Sequence, residues 1–117
     1  MEKLSDGEWK LMELLWEDAP INSTLLVKRC QERLQWSKST TYTVLRRLCH
    51  KGAAANEEAT VTPLVTREEV LKAQGEELSR QAGGLSPFLT AFFSGRRLTQ
   101  KEAEELKQLI DQHTWEG

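Results

Sequence analysis

The sequence predicts a mainly helical chain, α+β with a small hairpin, in which a helix-turn-helix is followed by two short strands and then by further helices. Three observations carry this. Apolar residues recur at helical spacing on both sides of a short turn at Gln35-Trp36-Ser37. After Gly52 that spacing lapses over a stretch of small and β-branched residues. From Thr66 onward capping sequences and helical spacing return.

The first helix opens at Leu4-Ser5-Asp6-Gly7-Glu8-Trp9. Ser5 and Glu8 have capping-box spacing, and Leu4 can staple onto Trp9. It runs through Met12, Leu15 and Trp16 to about Glu17, and Asp18-Ala19-Pro20 breaks it. Ile21 stands alone as a one-residue strand. Asn22 or Ser23 caps a second helix, with Leu26, Val27, Cys30 and Leu34 inward.

The third helix lies within Trp36 to Gly52. Ser37 is its N-cap, and Gly52 is its stop because glycine enters the left-handed cap without steric cost. Thr41, Val44, Leu45 and Leu48 fall at i, i+3, i+4 and i+7 and form one buried stripe. Ser39, Thr43, Arg46 and His50 face the other way, with Lys38, Tyr42 and Arg47 on the flanks. Short hydroxyls and cations together suit phosphate oxygens and base edges. From Arg33 to Asn56 there are five basic residues and no acidic one, in a chain of net charge −2. Helix, short turn and helix, the second apolar inside and basic outside, is the helix-turn-helix pattern. The candidate partner is double-stranded operator DNA. The candidate contacts are Ser37, Lys38, Ser39, Thr40, Tyr42, Thr43, Arg46, Arg47, His50 and Lys51. An ion pair to an acid on another helix is an equal expectation for Arg47.

Ala53 to Ala55 and Thr60 to Val65 read as strands around an Asn56-Glu57-Glu58 turn, with Pro63 at an edge or strand end. Thr66-Arg67-Glu68-Glu69 is a second capping box, and its helix runs to about Ala82 before Gly83-Gly84. Ser86-Pro87 opens a short helix, Ser as N-cap and Pro at N1, with Phe88, Leu89, Phe92 and Phe93. Thr99-Gln100-Lys101-Glu102 is a third box, ahead of a helix carrying Leu106, Leu109 and Ile110.

The chain of 117 residues is 38% hydrophobic and 29% charged. Residues 1–52 carry nine basic and seven acidic side chains, net +2, and residues 53–117 carry seven and eleven, net −4. Contact with nucleic acid is therefore local rather than global. No apolar run approaches the roughly 20 residues that cross a bilayer. MEKLSDGEW lacks the apolar region of a signal peptide, so a cytoplasmic setting and no membrane contact are expected. Cys30 and Cys49 sit among apolar neighbours and read as small buried hydrophobes. Cys49 and His50 are adjacent on a helix and point about 100° apart, so they cannot form a nucleophile and base. Cys30, Cys49, His50 and His113 lack zinc-ligand spacing, and no glycine-rich phosphate loop is present. No enzyme, metal or cofactor is expected.

Four blocks in order carry a family resemblance: Ser5-Asp6-x-Glu8-Trp9 with Leu14-Leu15-Trp16; Trp36-Ser37-x-x-Thr40-x-x-Thr43-x-Leu45-x-Arg47-Leu48-x-x-Lys51-Gly52; Thr62-Pro63-Leu64-Val65-x-Arg67-Glu68-Glu69; and Leu98 to Ile110 with its Glu-Glu-Leu. Together they resemble the penicillinase repressor family, the BlaI, MecI and CopY group. The resemblance implies a winged helix-turn-helix DNA-binding domain, here residues 1–65, and a three-helix dimerisation region, residues 66–117. It implies a homodimeric transcriptional repressor, in several members released from DNA when a protease, itself answering to a sensor, cuts them. The apolar residues that would carry the dimer are Leu71, Leu78, Leu85, Phe88, Leu89, Phe92, Phe93, Leu106, Leu109 and Ile110.

Three departures from the family pattern matter. Ala53 to Thr66 contains no basic residue and has two acids at its tip, which weighs against a wing-to-phosphate contact. No cysteine follows Cys49, which excludes copper sensing by paired C-terminal thiolates. The bond that aligns with the family's Asn-Phe cleavage site is Ala91–Phe92, where the Phe is kept and the Asn is not. A winged helix serving protein contact, with no operator, is the competing expectation.

Overall fold

The computed structural model describes residues 1–116. Six helices and three short strands follow one another as α1 (Asp6–Asp18), β1 (Ile21–Asn22), α2 (Ser23–Leu34), α3 (Lys38–His50), β2 (Ala54–Glu57), β3 (Thr60–Pro63), α4 (Arg67–Ala82), α5 (Leu85–Phe93) and α6 (Gln100–Gln112). The chain forms two compact units, Met1–Glu77 and a second that begins at Leu78.

In the first unit, α1 buries Leu11, Met12, Leu14 and Leu15 against Leu26 and Cys30 of α2 and the inner stripe of α3. Buried apolar area is the main drive for this packing. Val61 of β3 and Val70 of α4 are fully buried in the same core. The early turns of α4 therefore belong to this unit. Ser5 caps α1 by accepting from the Glu8 amide, and Leu4 is buried below it. The second half of the expected box is absent, because the Glu8 carboxylate turns to Lys51 instead. Asn22 caps α2 through the Thr24 amide.

The sheet has three antiparallel strands in the order β1-β3-β2, one more than a hairpin. Ile21 pairs with Val61 and Asn22 with Thr60, so the lone apolar residue before α2 becomes a short edge strand. The hairpin turn lies at Glu58-Ala59, not at Asn56-Glu57-Glu58, since Asn56 and Glu57 pair with Val61 and Thr60. Both turn residues take positive φ, 50° and 64°. Such a two-residue turn matches the twist of the flanking strands, which settles the register.

In the second unit α5 begins one residue before Ser86, with Gly84 as cap and the Phe88 amide donating to the Gly84 carbonyl. Pro87 then stands in the first turn, where the missing amide has no partner to lose. Thr99 and Glu102 close a complete capping box on α6. That reciprocal bond holds the Glu102 carboxyl below the ordinary carboxylate range. No residue from Leu78 to Glu116 is buried.

Candidate nucleic-acid interface

The second helix of the helix-turn-helix is positioned by its own sequence. Gln35 takes the left-handed conformation and ends α2, and its amide donates to the Cys30 and Gln31 carbonyls. Ser37 then caps α3 by accepting from the Thr40 amide at 3.1 Å. Thr41, Val44, Leu45 and Leu48 are all buried, as the spacing predicts. Gly52, at φ +77°, turns the chain out of the helix toward β2.

This leaves one face of α3 in solvent. Ser37, Lys38, Ser39, Thr40, Arg46, Arg47 and His50 are exposed, and Thr43 is half-buried. Neither Arg46 nor Arg47 forms an ion pair among the described residues, so the alternative expectation for Arg47 is not met. Thr43, Arg46, Arg47, His50 and Lys51 border a shallow depression of about 350 Å³. The first turn of α3 carries no acid and has Lys38 at its start. Free amides beside a cation and short hydroxyls favour an anionic oxygen.

Two of the expected contact residues are placed differently. Tyr42 is half-buried against the core and its hydroxyl donates to Ser23 Oγ at 3.3 Å. Lys51 is taken up by Glu8, with its ammonium 2.7 Å from Oε2 and 2.9 Å from Oε1, and it also donates to the Lys3 carbonyl. This pair ties the end of α3 to α1 and holds the ammonium against a buried carboxylate. The sequence signal for this was the spacing of Glu8, which shares the stripe of Leu11, Met12 and Leu15 at i, i+3, i+4 and i+7.

The hairpin tip is exposed at Glu57, Glu58 and Ala59. Cys30 is buried and Cys49 half-buried, and burial pushes both thiols above their ordinary range. Among the described residues no cluster of three or more His, Cys, Asp or Glu is placed to hold a metal. Among them, too, no helix is long and apolar enough to cross a membrane.

The expected dimer residues are solvent-facing in the single chain. Leu71, Leu78, Leu85, Phe92, Phe93, Leu109 and Ile110 are exposed, with Phe88, Leu89 and Leu106 half-buried. Within the second unit, α5 and α6 border a cleft of about 590 Å³ lined by Leu89, Phe92, Phe93, Leu98, Leu106 and Leu109. Ala91 and Phe92 are both exposed on α5.

A helix-turn-helix with an exposed, acid-free second helix, followed directly by a β hairpin, is a winged helix-turn-helix. The solution structure of the DNA-binding domain of the repressor BlaI is similar, with a TM-score of 0.53 and 29% identity over 59% of this chain and 93% of that one. The Bacillus licheniformis BlaI monomer in complex with the blaP half-operator is similar at a TM-score of 0.50 and 29% identity, over 58% and 88%. Among sequences, the penicillinase repressor of Bacillus licheniformis is 25% identical over 95% of this chain and 91% of its own length. The methicillin resistance regulatory protein MecI of Staphylococcus aureus is 23% identical over 93% and 94%. The family profile described as Penicillinase repressor matches residues 4–112. The chain belongs to the penicillinase repressor family.

Proposed function

We propose that the chain is a transcriptional repressor that binds two-fold operator DNA as a homodimer in the cytoplasm, and that an inducing signal such as proteolysis in residues 66–117 releases it. In this reading residues 1–65 contact DNA and residues 66–117 hold two copies together. The observation that carries it is the free face of α3, where Lys38, Arg46, Arg47 and His50 stand exposed on a helix that contains no acid. Membership of a repressor family and likeness to a structure solved on a half-operator support the same reading.

Dimerisation is supported by the unburied second unit. Leu85 is 64% exposed, Ile110 62% and Phe92 48% in the single chain. An arm that exposes this much apolar surface is more stable when a second copy covers it, and a two-fold contact lets each copy cover the other. A sensor protease is the proposed partner for release, acting near the exposed Ala91–Phe92 bond.

The test is binding of the full chain to duplexes from the promoter upstream of its own gene, titrated across salt. Affinity for one duplex should exceed that for scrambled DNA and fall steeply from low to moderate salt, with a slope set by the phosphates neutralised. One observation favours a second reading as a protein-contact module: the acidic hairpin tip at Glu57 and Glu58. Absence of any salt-dependent duplex binding would select that reading.

A further inference from the structure

Between the C-terminal half of α1 and the segment joining β3 to α4, the first unit has an open cleft of about 640 Å³. That volume is in the range of sites for drug-sized molecules. Its walls include Glu13, Trp16, Leu64, Val65, Arg67 and Glu68.

The Trp16 ring is fixed there from two sides. Its Nε1–H donates to the Val65 carbonyl at 2.8 Å, and Trp9 meets it edge-on with ring centroids 5.5 Å apart and planes at 78°. The guanidinium of Arg67 lies over the Trp16 ring, 4.9 Å from its centroid. An indole face attracts cations through its quadrupole, so this ring already serves as a cation seat. Arg67 is an exposed side chain with no ion pair among the described residues, and nothing else holds it there.

The surroundings add charge and apolar area. Glu13 and Glu68 are exposed on the walls and unpaired, whereas Glu17 is taken by Arg33 at 3.0 Å. Leu64, 57% exposed, supplies apolar surface beside them. A rigid aromatic face, two free carboxylates and an apolar wall select a ligand that is at once cationic and apolar.

We propose that this cleft binds a lipophilic organic cation, such as an aryl phosphonium or aryl quaternary ammonium, which takes the place of the Arg67 guanidinium on Trp16. The proposal concerns the free protein and is independent of the operator reading.

The test uses the full chain without DNA and two probes of equal size and opposite charge, tetraphenylphosphonium and tetraphenylborate. The readout is the indole N–H signal of Trp16 in a nitrogen-correlated NMR spectrum, which separates this cleft from the exposed apolar arm. Tetraphenylphosphonium should move that signal saturably, and tetraphenylborate should leave it in place. Replacing both acids, Glu13→Gln with Glu68→Gln, should weaken binding about fivefold, the sum of two exposed ion pairs. Arg67→Ala should tighten it, because the competing cation is gone. These variants change only exposed side chains, and the remaining signals report that the fold is kept. An equal response to the borate, a response that never saturates, or an Arg67→Ala variant that binds more weakly would each overturn the proposal.

Discussion

The ammonium of Lys51 sits between both oxygens of Glu8, 2.7 Å and 2.9 Å away, and this pair joins the first turn of α1 to the end of α3. Glu8 is only 3% exposed. The pair lies just before Gly52, where the chain leaves α3 for the hairpin. A buried carboxylate and a partly buried ammonium attract strongly, but their desolvation offsets most of the gain, so the net contribution of the pair is small. Removing one partner is another matter, since it strands a buried charge.

Lys51→Met should therefore destabilise the chain by about 3 kcal/mol, and adding Glu8→Leu should restore most of the loss. Urea denaturation of the two variants measures this directly. A Lys51→Met variant within about 1 kcal/mol of the parent, the size of an exposed ion pair, would mean that solvent screens the pair and that it does not set the helix.

How far the sequence announces this molecule depends on which signal a residue carries. The inner stripe of α3 was legible because four residues share one spacing and all are buried. Ser37, Thr99 and Gly52 were legible because caps need a hydroxyl or a left-handed residue at one position. The pairing of Lys51 is not legible from residue type, because its partner Glu8 is polar yet lies on a core stripe. The hairpin turn was displaced because Glu58 and Ala59 lack the Asn-Gly signature of a turn with two positive φ angles. The short strand at Ile21 was half legible, since pairing with β3 is a long-range contact that local pattern does not encode.

Arg46 stands exposed near the middle of the free α3 face with no ion pair among the described residues. Arg46→Ala should reduce operator affinity by about 1–3 kcal/mol and relax preference at one base pair if it reads a base edge. Lys38→Ala should instead weaken binding to every duplex alike and lower the salt slope by about one. Gel shifts on matched and mutated duplexes separate the two. Unchanged affinity for Arg46→Ala would reverse the orientation assigned to α3.

Glu57 and Glu58 form an exposed acidic tip with no basic residue from Ala53 to Thr66. If the hairpin approaches DNA, both acids repel phosphates. Glu57→Lys with Glu58→Lys should then tighten binding to any duplex without altering sequence preference. Equal or weaker binding would place the tip away from DNA.

The same hairpin has room for stabilisation. Glu58 and Ala59 hold φ values of 50° and 64°, which side chains with a Cβ adopt at a cost of roughly 1 kcal/mol each. Glu58→Asn with Ala59→Gly supplies the residues this turn prefers. The double variant should gain about 1 kcal/mol and melt higher in a calorimetric scan, part of the gain being offset by the freedom glycine adds to the unfolded chain. A lower melting temperature would show that the turn is not strained.

Phe92 offers the sharpest test of assembly. Its ring lies 6.2 Å from Phe88 and 5.9 Å from Phe93, yet it is 48% exposed in the single chain. The guanidinium of Arg96 lies over it at 4.4 Å and also donates to the Phe92 carbonyl. An aspartate introduced here meets a cation and leaves no cavity, so Phe92→Asp should cost the isolated chain little. Against the apolar face of a second copy, the same carboxylate must lose its water without a partner, which is expensive. The variant should therefore be a folded monomer, with the unfolding of the first unit, followed by fluorescence of Trp9 and Trp16, unchanged. Operator binding should fall greatly, because a two-fold site one or more helical turns long, with recognition helices about 34 Å apart or a multiple of that, is then held by one half at a time. Phe92→Leu, apolar and similar in size, should keep both dimer and affinity. Sedimentation equilibrium beside a binding titration decides the matter. A Phe92→Asp chain that remains dimeric would place the interface outside the aromatic face of α5, and release by cutting at Ala91–Phe92 would then lose its physical basis.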